Sequence, residues 1–311
     1  QRRPHDAPQH DGSRMRPGAV LCLIADPARH ELTAPEVTRL ARELAGEARW
    51  LAPGEAAEIA CAQDAPAVAA ATALLGPAPV DGALVPAARR RKRLLLSDMD
   101  STMITVECVD ELAARAGIRA EVAALTRRTM NGEIDFASSL RARVALLAGL
   151  PEAVLHEVCA ETVRPMPGAA ELLATMRAAG ARCVLVSGGF SVFTRYVREL
   201  LGFDVDEANE LEIVDGVLTG RLRGPLHDAE SKREALHRHA EQLGLDAGAA
   251  LAVGDGANDL PMLKEAGLGV AFRAHPAVRA AAPHRIDHAS LRALLYLQGY
   301  TAEEIIAPRR P

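Results

Sequence analysis

The sequence predicts an α/β chain: a doubly wound parallel sheet with a helical segment inserted after its first strand, preceded by a small α+β module. Three observations carry this. Short apolar runs at 94–96, 183–186, 251–253 and 268–271 alternate with stretches of helical periodicity, and the first three end in Ser, Gly and Asp. That is the pattern of parallel strands whose carboxyl ends collect polar groups. The roughly sixty residues after Thr102 are helical in texture throughout. Finally, residues 19–85 run in β-α-β-β-α-β order, the split βαβ unit.

At 311 residues the chain is long enough for about two domains. Hydrophobic content of 49% and charged content of 25% are ordinary for a globular protein. A net charge of -5 argues against a general nucleic-acid binder. No apolar stretch approaches the roughly 20 residues needed to cross a bilayer. The run at 19–25 is closed by Asp26 and lacks the cleavage pattern of a signal peptide. Five scattered cysteines with no Cys-x-x-Cys pair fit reduced thiols, hence a cytoplasmic protein. Of 36 basic residues only Lys92, Lys232 and Lys264 are lysines, so a lysine where arginine is the default invites a reason.

In chain order, residues 1–17 are polar and aperiodic and read as a disordered lead. The first module spans 18–88. It has a strand at 19–25, then a helix after Thr33 with Val37, Leu40, Ala41 and Leu44 on one face. Strands near 48–52 and 57–62, a helix over 66–75 ending at Gly76, and a strand at 81–85 complete it. It resembles the ACT-like regulatory modules of amino-acid enzymes by order and length, with no diagnostic motif, so amino-acid sensing and a plain packing or dimerisation role both stand. The basic run at 89–93 reads as a solvated linker into the second unit, 89–311. There, helices over 107–116, 119–130, 135–147 and 151–161, separated by Gly117, Gly132 and Gly149, form a lid over about 106–165. After Pro165-Met166-Pro167-Gly168 the pattern predicts helix 169–179, strand 182–186, helix 191–201 and a hairpin over 209–223 turning at Asp215-Gly216. Helix 230–243, strand 250–253, helix 259–266 and strand 268–271 follow.

The chemistry concentrates where apolar runs end. In Asp98-Met99-Asp100-Ser101-Thr102 two carboxylates lie one residue apart, and alternate residues of a strand tip would face one crevice. A carboxylate can attack phosphorus and a neighbouring acid can protonate the departing oxygen; solvated turn aspartates would give the same pentapeptide. Ser187-Gly188-Gly189 suits an anion site or a small-residue turn. Lys232, near a helix start, can neutralise a phosphoryl group. Gly254-Asp255-Gly256-Ala257-Asn258-Asp259 adds two carboxylates and an amide, oxygen ligands suited to Mg²⁺.

These four motifs in this order resemble the haloacid dehalogenase-like phosphatases, over roughly residues 94–300. Glu107, Met130 and the stretch from Asp135 to Val144 narrow the resemblance to the phosphoserine phosphatase family. The resemblance implies a Rossmann-like core with Asp98 as nucleophile and Asp100 as general acid and base. Mg²⁺ would be held by the Asp98 carboxylate, the Asp100 carbonyl and Asp255, with Asp259 in support. Ser187, the Gly188 amide and Lys232 would hold the phosphoryl group, and Asn258 would shape the site. In the lid, Glu107 would meet the ammonium of O-phosphoserine and Arg143 its carboxylate, with Met130 and Phe136 as an apolar wall. The implied activity is hydrolysis of O-phosphoserine, the last step of serine biosynthesis; a phosphatase or phosphotransferase acting on another small phosphomonoester is the nearest alternative. The implied partners are a small-molecule substrate, with a homodimer and serine as a regulatory ligand left open, and neither nucleic acid nor membrane.

Overall fold

A computed structural model of the chain describes residues 18–61, 66–130 and 133–307, without the Met130 side chain. The lead expected over 1–17 lies outside the described residues.

The first module consists of β1 (Ala19–Ala25), α1 (Ala34–Glu43), β2 (Glu47–Ala52), β3 (Ala56–Cys61), α2 (Ala67–Leu75) and β4 (Val80–Pro86). Its strands form one antiparallel sheet in the order β2-β3-β1-β4. The β1 strand is apolar along its whole length because both of its faces are covered. Leu21 and Leu23 pack with Val37 and Leu40 of α1, while Cys22 and Ile24 join the main core with Leu294, Leu295 and Tyr296.

The second sheet is built from β5 (Leu94–Ser97), β6 (Arg182–Phe190), β7 (Val205–Val214), β8 (Val217–Arg223), β9 (Ala250–Gly254), β10 (Leu268–Phe272) and β11 (His284–Ile286). Its order is β11-β10-β9-β5-β6-β7-β8, parallel except for the β7–β8 hairpin. Asp215 and Gly216 turn that hairpin, both at positive φ. Between β5 and β6 lie the cap helices α3 (Cys108–Arg115), α4 (Arg119–Met130), α5 (Phe136–Ala145) and α6 (Ala153–Thr162), followed by α7 (Ala169–Ala178). The remaining helices are α8 (Ser191–Leu201), α9 (Ala229–Gln242), α10 (Leu260–Glu265), α11 (Pro276–Ala281) and α12 (Ala293–Leu297). The cap is stitched to the sheet: Gly149 N–H donates to Leu218 O (2.8 Å), Leu218 N–H to Leu150 O (2.9 Å) and Glu152 N–H to Gly216 O (2.8 Å).

Three expectations change. The β6 strand runs through Ser187-Gly188-Gly189 to Phe190, and β7 starts at Val205 as a parallel partner of β6 before it becomes a hairpin arm. The short β11 and the wholly buried α12 carry no amphipathic period to read. Nor is the basic run a solvated linker. Arg90 donates to Glu58, Leu297 O and Tyr296 O; Arg91 pairs with Glu304 and lies 4.1 Å over the Tyr300 ring; Lys92 Nζ donates to Arg89 O and Gly248 O. Arg90 and Lys92 are thus anchored by the folded chain, while Arg89, Arg91 and Arg93 stay exposed. All five cysteines are free and buried, and among the described residues no helix is long and apolar enough to cross a membrane.

One ion cluster supports the sheet beside β7. Burial works against the charge of Glu207, but hydrogen bonds from His239 and Arg238 override it and lower its pKa to about 2. A depressed carboxyl pKa contributes stability above the unfolded-state value that is lost as pH falls toward the folded one. Glu207→Gln should therefore lose about 2 kcal/mol at neutral pH, with the gap to the parent closing between about pH 4.5 and pH 2. Denaturant titrations at a series of pH values would read this; a gap that does not vary with pH would contradict it.

Candidate active site

The β5–β9 register pairs Ser97 with Val253, and Asp98 N–H extends the ladder by donating to Val253 O at 3.0 Å. That places Asp98 beside Gly254, one residue from Asp255. The two N-terminal acids do not share a strand, because β5 ends at Ser97. A tight loop follows instead, in which Met99 O accepts from the amides of Thr102, Met103 and Ile104 and Ser101 takes φ 54°. The loop turns Asp100 toward the cap, where its Oδ1 accepts the N–H of Cys108 at 3.2 Å, at the start of α3. Its Oδ2 lies 3.2 Å from where a Cβ on Gly189 would sit, so Asp100 lines the same crevice as the Ser187-Gly188-Gly189 segment.

Lys232 explains its own rarity. It is fully buried, and Nζ donates to Asp98 Oδ1 and Asp259 Oδ1, both at 2.6 Å. The helix that carries it is capped by Asp228, which accepts from Ser231 N–H at 3.0 Å. Burial works against the ammonium, but the two carboxylates overcome it and hold its pKa above that of an ordinary lysine. Asp259 also accepts the Gly256 amide at 2.9 Å, and Thr102 Oγ1 donates to Asp255 Oδ1 at 3.1 Å.

Carboxylate oxygens of Asp98, Asp255 and Asp259 all lie within 4.8 Å of one another. Burial and the neighbouring Asp98 raise Asp255 to about 7 and Asp259 to about 6. Burial, then Glu107 and Asp98, raises Asp100 well above the usual carboxylate range. One ammonium does not balance these acids. Their all-oxygen donor set and surplus negative charge fit a hard divalent cation such as Mg²⁺.

The cap supplies the roof. Glu107, the N-cap residue of α3, accepts from Ser101 Oγ, and burial raises its pKa. On α5, burial lowers the pKa of Arg143 against the pull of Asp110 and Glu107, and its buried Nε has no hydrogen-bond partner among the described residues. A Cβ on Gly188 would sit 3.3 Å from the Phe136 ring and 4.0 Å from Asn258 Nδ2, so Phe136 and Asn258 both reach the Ser187-Gly188-Gly189 segment. The Met130 side chain lies outside the described residues. Ser187 Oγ accepts from Gly189 N–H at 3.0 Å.

Sequence reading missed three contributors. Asn209, 1% exposed, donates to Gly188 O and His227 O and accepts from His227 N–H, tying the Gly188 segment to the approach of α9. The Cys108 N–H orients Asp100, and the backbone N–H of His275 donates to Asp255 O at 3.4 Å. Each acts through space, and a lone Asn, Cys or His carries no spacing signal; the Asp-Gly-rich tip and the single lysine did.

A family model described as haloacid dehalogenase-like hydrolase matches residues 95–264. Phosphoserine phosphatase SerB2 of Mycobacterium tuberculosis is 49% identical over 219 residues, 70% of this chain and 53% of that protein. A phosphoserine phosphatase of Polaromonas sp. is 49% identical over 210 residues, covering 66% of this chain and 89% of that protein. Among solved structures, the unliganded probable phosphoserine phosphatase of Vibrio cholerae aligns with TM-score 0.76 at 34% identity, over 92% of this chain and 88% of that one. The chain thus spans about half the length of the M. tuberculosis relative and nearly all of the Polaromonas one. With the family model spanning more than half of the residues, and the acids and lysine of the crevice falling inside or beside it, the chain belongs to the haloacid dehalogenase-like hydrolases.

Proposed function

We propose that the chain is a Mg²⁺-dependent phosphoserine phosphatase that hydrolyses O-phosphoserine to serine and phosphate, the last step of serine biosynthesis. One observation carries the reading: an acid pair suited to phosphoryl transfer, at the end of β5, meets a cap that offers a carboxylate, Glu107, and a guanidinium, Arg143, whose buried Nε has no hydrogen-bond partner among the described residues. Phosphoserine presents the matching ammonium and carboxylate beyond its phosphate. The relatives' names point the same way.

In this reading an Asp98 oxygen attacks phosphorus and forms an acyl phosphate as the bond to the serine oxygen breaks. Asp100, whose half-buried position beside Glu107 and Asp98 favours the protonated form, delivers its proton to that oxygen. The Asp100 carboxylate next accepts a proton from the water that attacks phosphorus, which frees phosphate and restores Asp98. Lys232 holds Asp98 in place, and Ser187 with the Gly188 amide would hold the phosphoryl oxygens. Asp98, the Asp100 carbonyl and Asp255, supported by Asp259, would hold Mg²⁺, which when bound offsets the repulsion between an anionic nucleophile and an anionic phosphate. Phe136 would exclude water, and Asn258 would line the site.

The test is phosphate release from phosphoserine, phosphothreonine and an aryl phosphate, with and without Mg²⁺, for the parent and Arg143→Ala. Release that needs Mg²⁺ and favours phosphoserine is expected, with Arg143→Ala losing about 100-fold in kcat/KM on phosphoserine and little on the aryl ester. A preference for another ester, or equal losses on both substrates, would point to a phosphatase for a different small phosphomonoester.

A further inference from the structure

We propose that the N-terminal sheet positions the stalk of the helical cap, with Asp81 and Glu55 as positioning residues that act on the active site without touching it. Asp81 lies on β4 and is 5% exposed. Its carboxylate accepts three consecutive amides of the distant segment after β11: Asp287 at 2.7 Å, His288 at 3.1 Å and Ala289 at 2.8 Å. A charged acceptor shared by three adjacent N–H groups fixes that backbone firmly. A few residues on, Arg292 Nε and a terminal guanidinium nitrogen form a two-pronged pair with Glu55 at 3.0 Å each, and the guanidinium also donates to Tyr296 OH at 2.7 Å.

Between these two clamps the chain lies against the root of the cap. Leu291 N–H donates to Pro167 O at 3.0 Å. Gly168 takes φ 86°, and a Cβ there would sit 2.6 Å from Arg292 N and 2.9 Å from Leu291 N, so the clamped segment abuts the stalk with no room for a side chain. Two residues earlier, Met166 N–H donates to Met103 O at 2.8 Å, and Thr105 N–H donates to Arg164 O at 3.1 Å, joining the outgoing and returning legs of the cap. Met103 N–H in turn donates to Met99 O at 2.8 Å, inside the loop between Asp98 and Asp100. Backbone hydrogen bonds and packing thus run from the N-terminal sheet to the catalytic loop through both legs of the cap. The sheet sets where the cap sits over Asp98, and a cap mis-set at its root costs substrate capture more than chemistry.

The test uses the full chain carrying Asp81→Asn, Glu55→Gln or both. The Asn amide retains one acceptor and turns N–H donors toward backbone amides, so the conservative change is enough to loosen the clamp if the double variant folds poorly. Amide hydrogen exchange over 103–105 and 164–168 should quicken by about tenfold or more in Asp81→Asn, while exchange in β9 of the same sample stays at the parent rate. KM for phosphoserine should rise severalfold, with kcat within about twofold. Stalk exchange that does not change, or that quickens only in parallel with β9, overturns the proposal. The kinetic arm rests on the phosphoserine reading and the exchange arm does not: absence of phosphoserine hydrolysis in the parent would count against the substrate, and unchanged stalk exchange against the clamp.

Discussion

Asp98→Asn should abolish measurable turnover, with at least a ~10⁴-fold fall in kcat on phosphoserine, and leave a folded chain. The amide is a poor nucleophile toward phosphorus, while its oxygen can still accept from Lys232, which keeps its second contact with Asp259. Stability should hold because the substitution also removes one of three crowded carboxylates. Phosphate release and thermal unfolding measured on the same preparation check both halves. Activity within about tenfold of the parent would mean that phosphate is displaced directly by water and that Asp98 is not the attacking group.

The second large effect is expected at Lys232. Lys232→Met removes a fully buried ammonium that pairs with two buried carboxylates. Taking one partner out of such a cluster leaves uncompensated charge and destabilises by about 3–5 kcal/mol, so the loss should be read first without divalent cations. Catalysis should fall by about 10³-fold or more, because Asp98 loses its anchor and the phosphoryl group loses its counter-charge. Adding Asp259→Asn to Lys232→Met should recover part of the stability and none of the activity. If Lys232→Met unfolds at the parent's denaturant midpoint, the ammonium does not compensate the acids.

The sequence made the core and most of the site legible because the relevant signals are local. An apolar strand ending in Asp98 or Asp255 can be read from a few residues, and the single lysine of α9 stood out against a background of arginine. The hairpin turn at Asp215-Gly216 was readable for the same reason. What stayed hidden depends on distance in the chain. The acid pair is presented by a loop rather than a strand tip, because Met99 O gathers three amides and bends the chain there. Arg90 and Lys92 looked like solvated charge until Glu58, Gly248 and the carbonyls of α12 supplied their partners. Asn209 could not be singled out, since its two carbonyl partners lie 21 and 18 residues away.

The stitching of the cap loop to β8 has a meaning apart from catalysis. An open strand edge is a template on which another chain can add, and the seven-stranded sheet has two rims. The start of the β8 rim, at residues 216–218, is taken by residues 149–152 of the cap loop. The β11 rim lies against β4, where His284 Nε2 meets Leu84 O at 3.2 Å and Asp81 takes up the amides that follow. Each appended part of the chain therefore shields part of one rim of the seven-stranded sheet. Shortening either part would leave a naked edge, and the first symptom would be precipitation during folding rather than a slower enzyme.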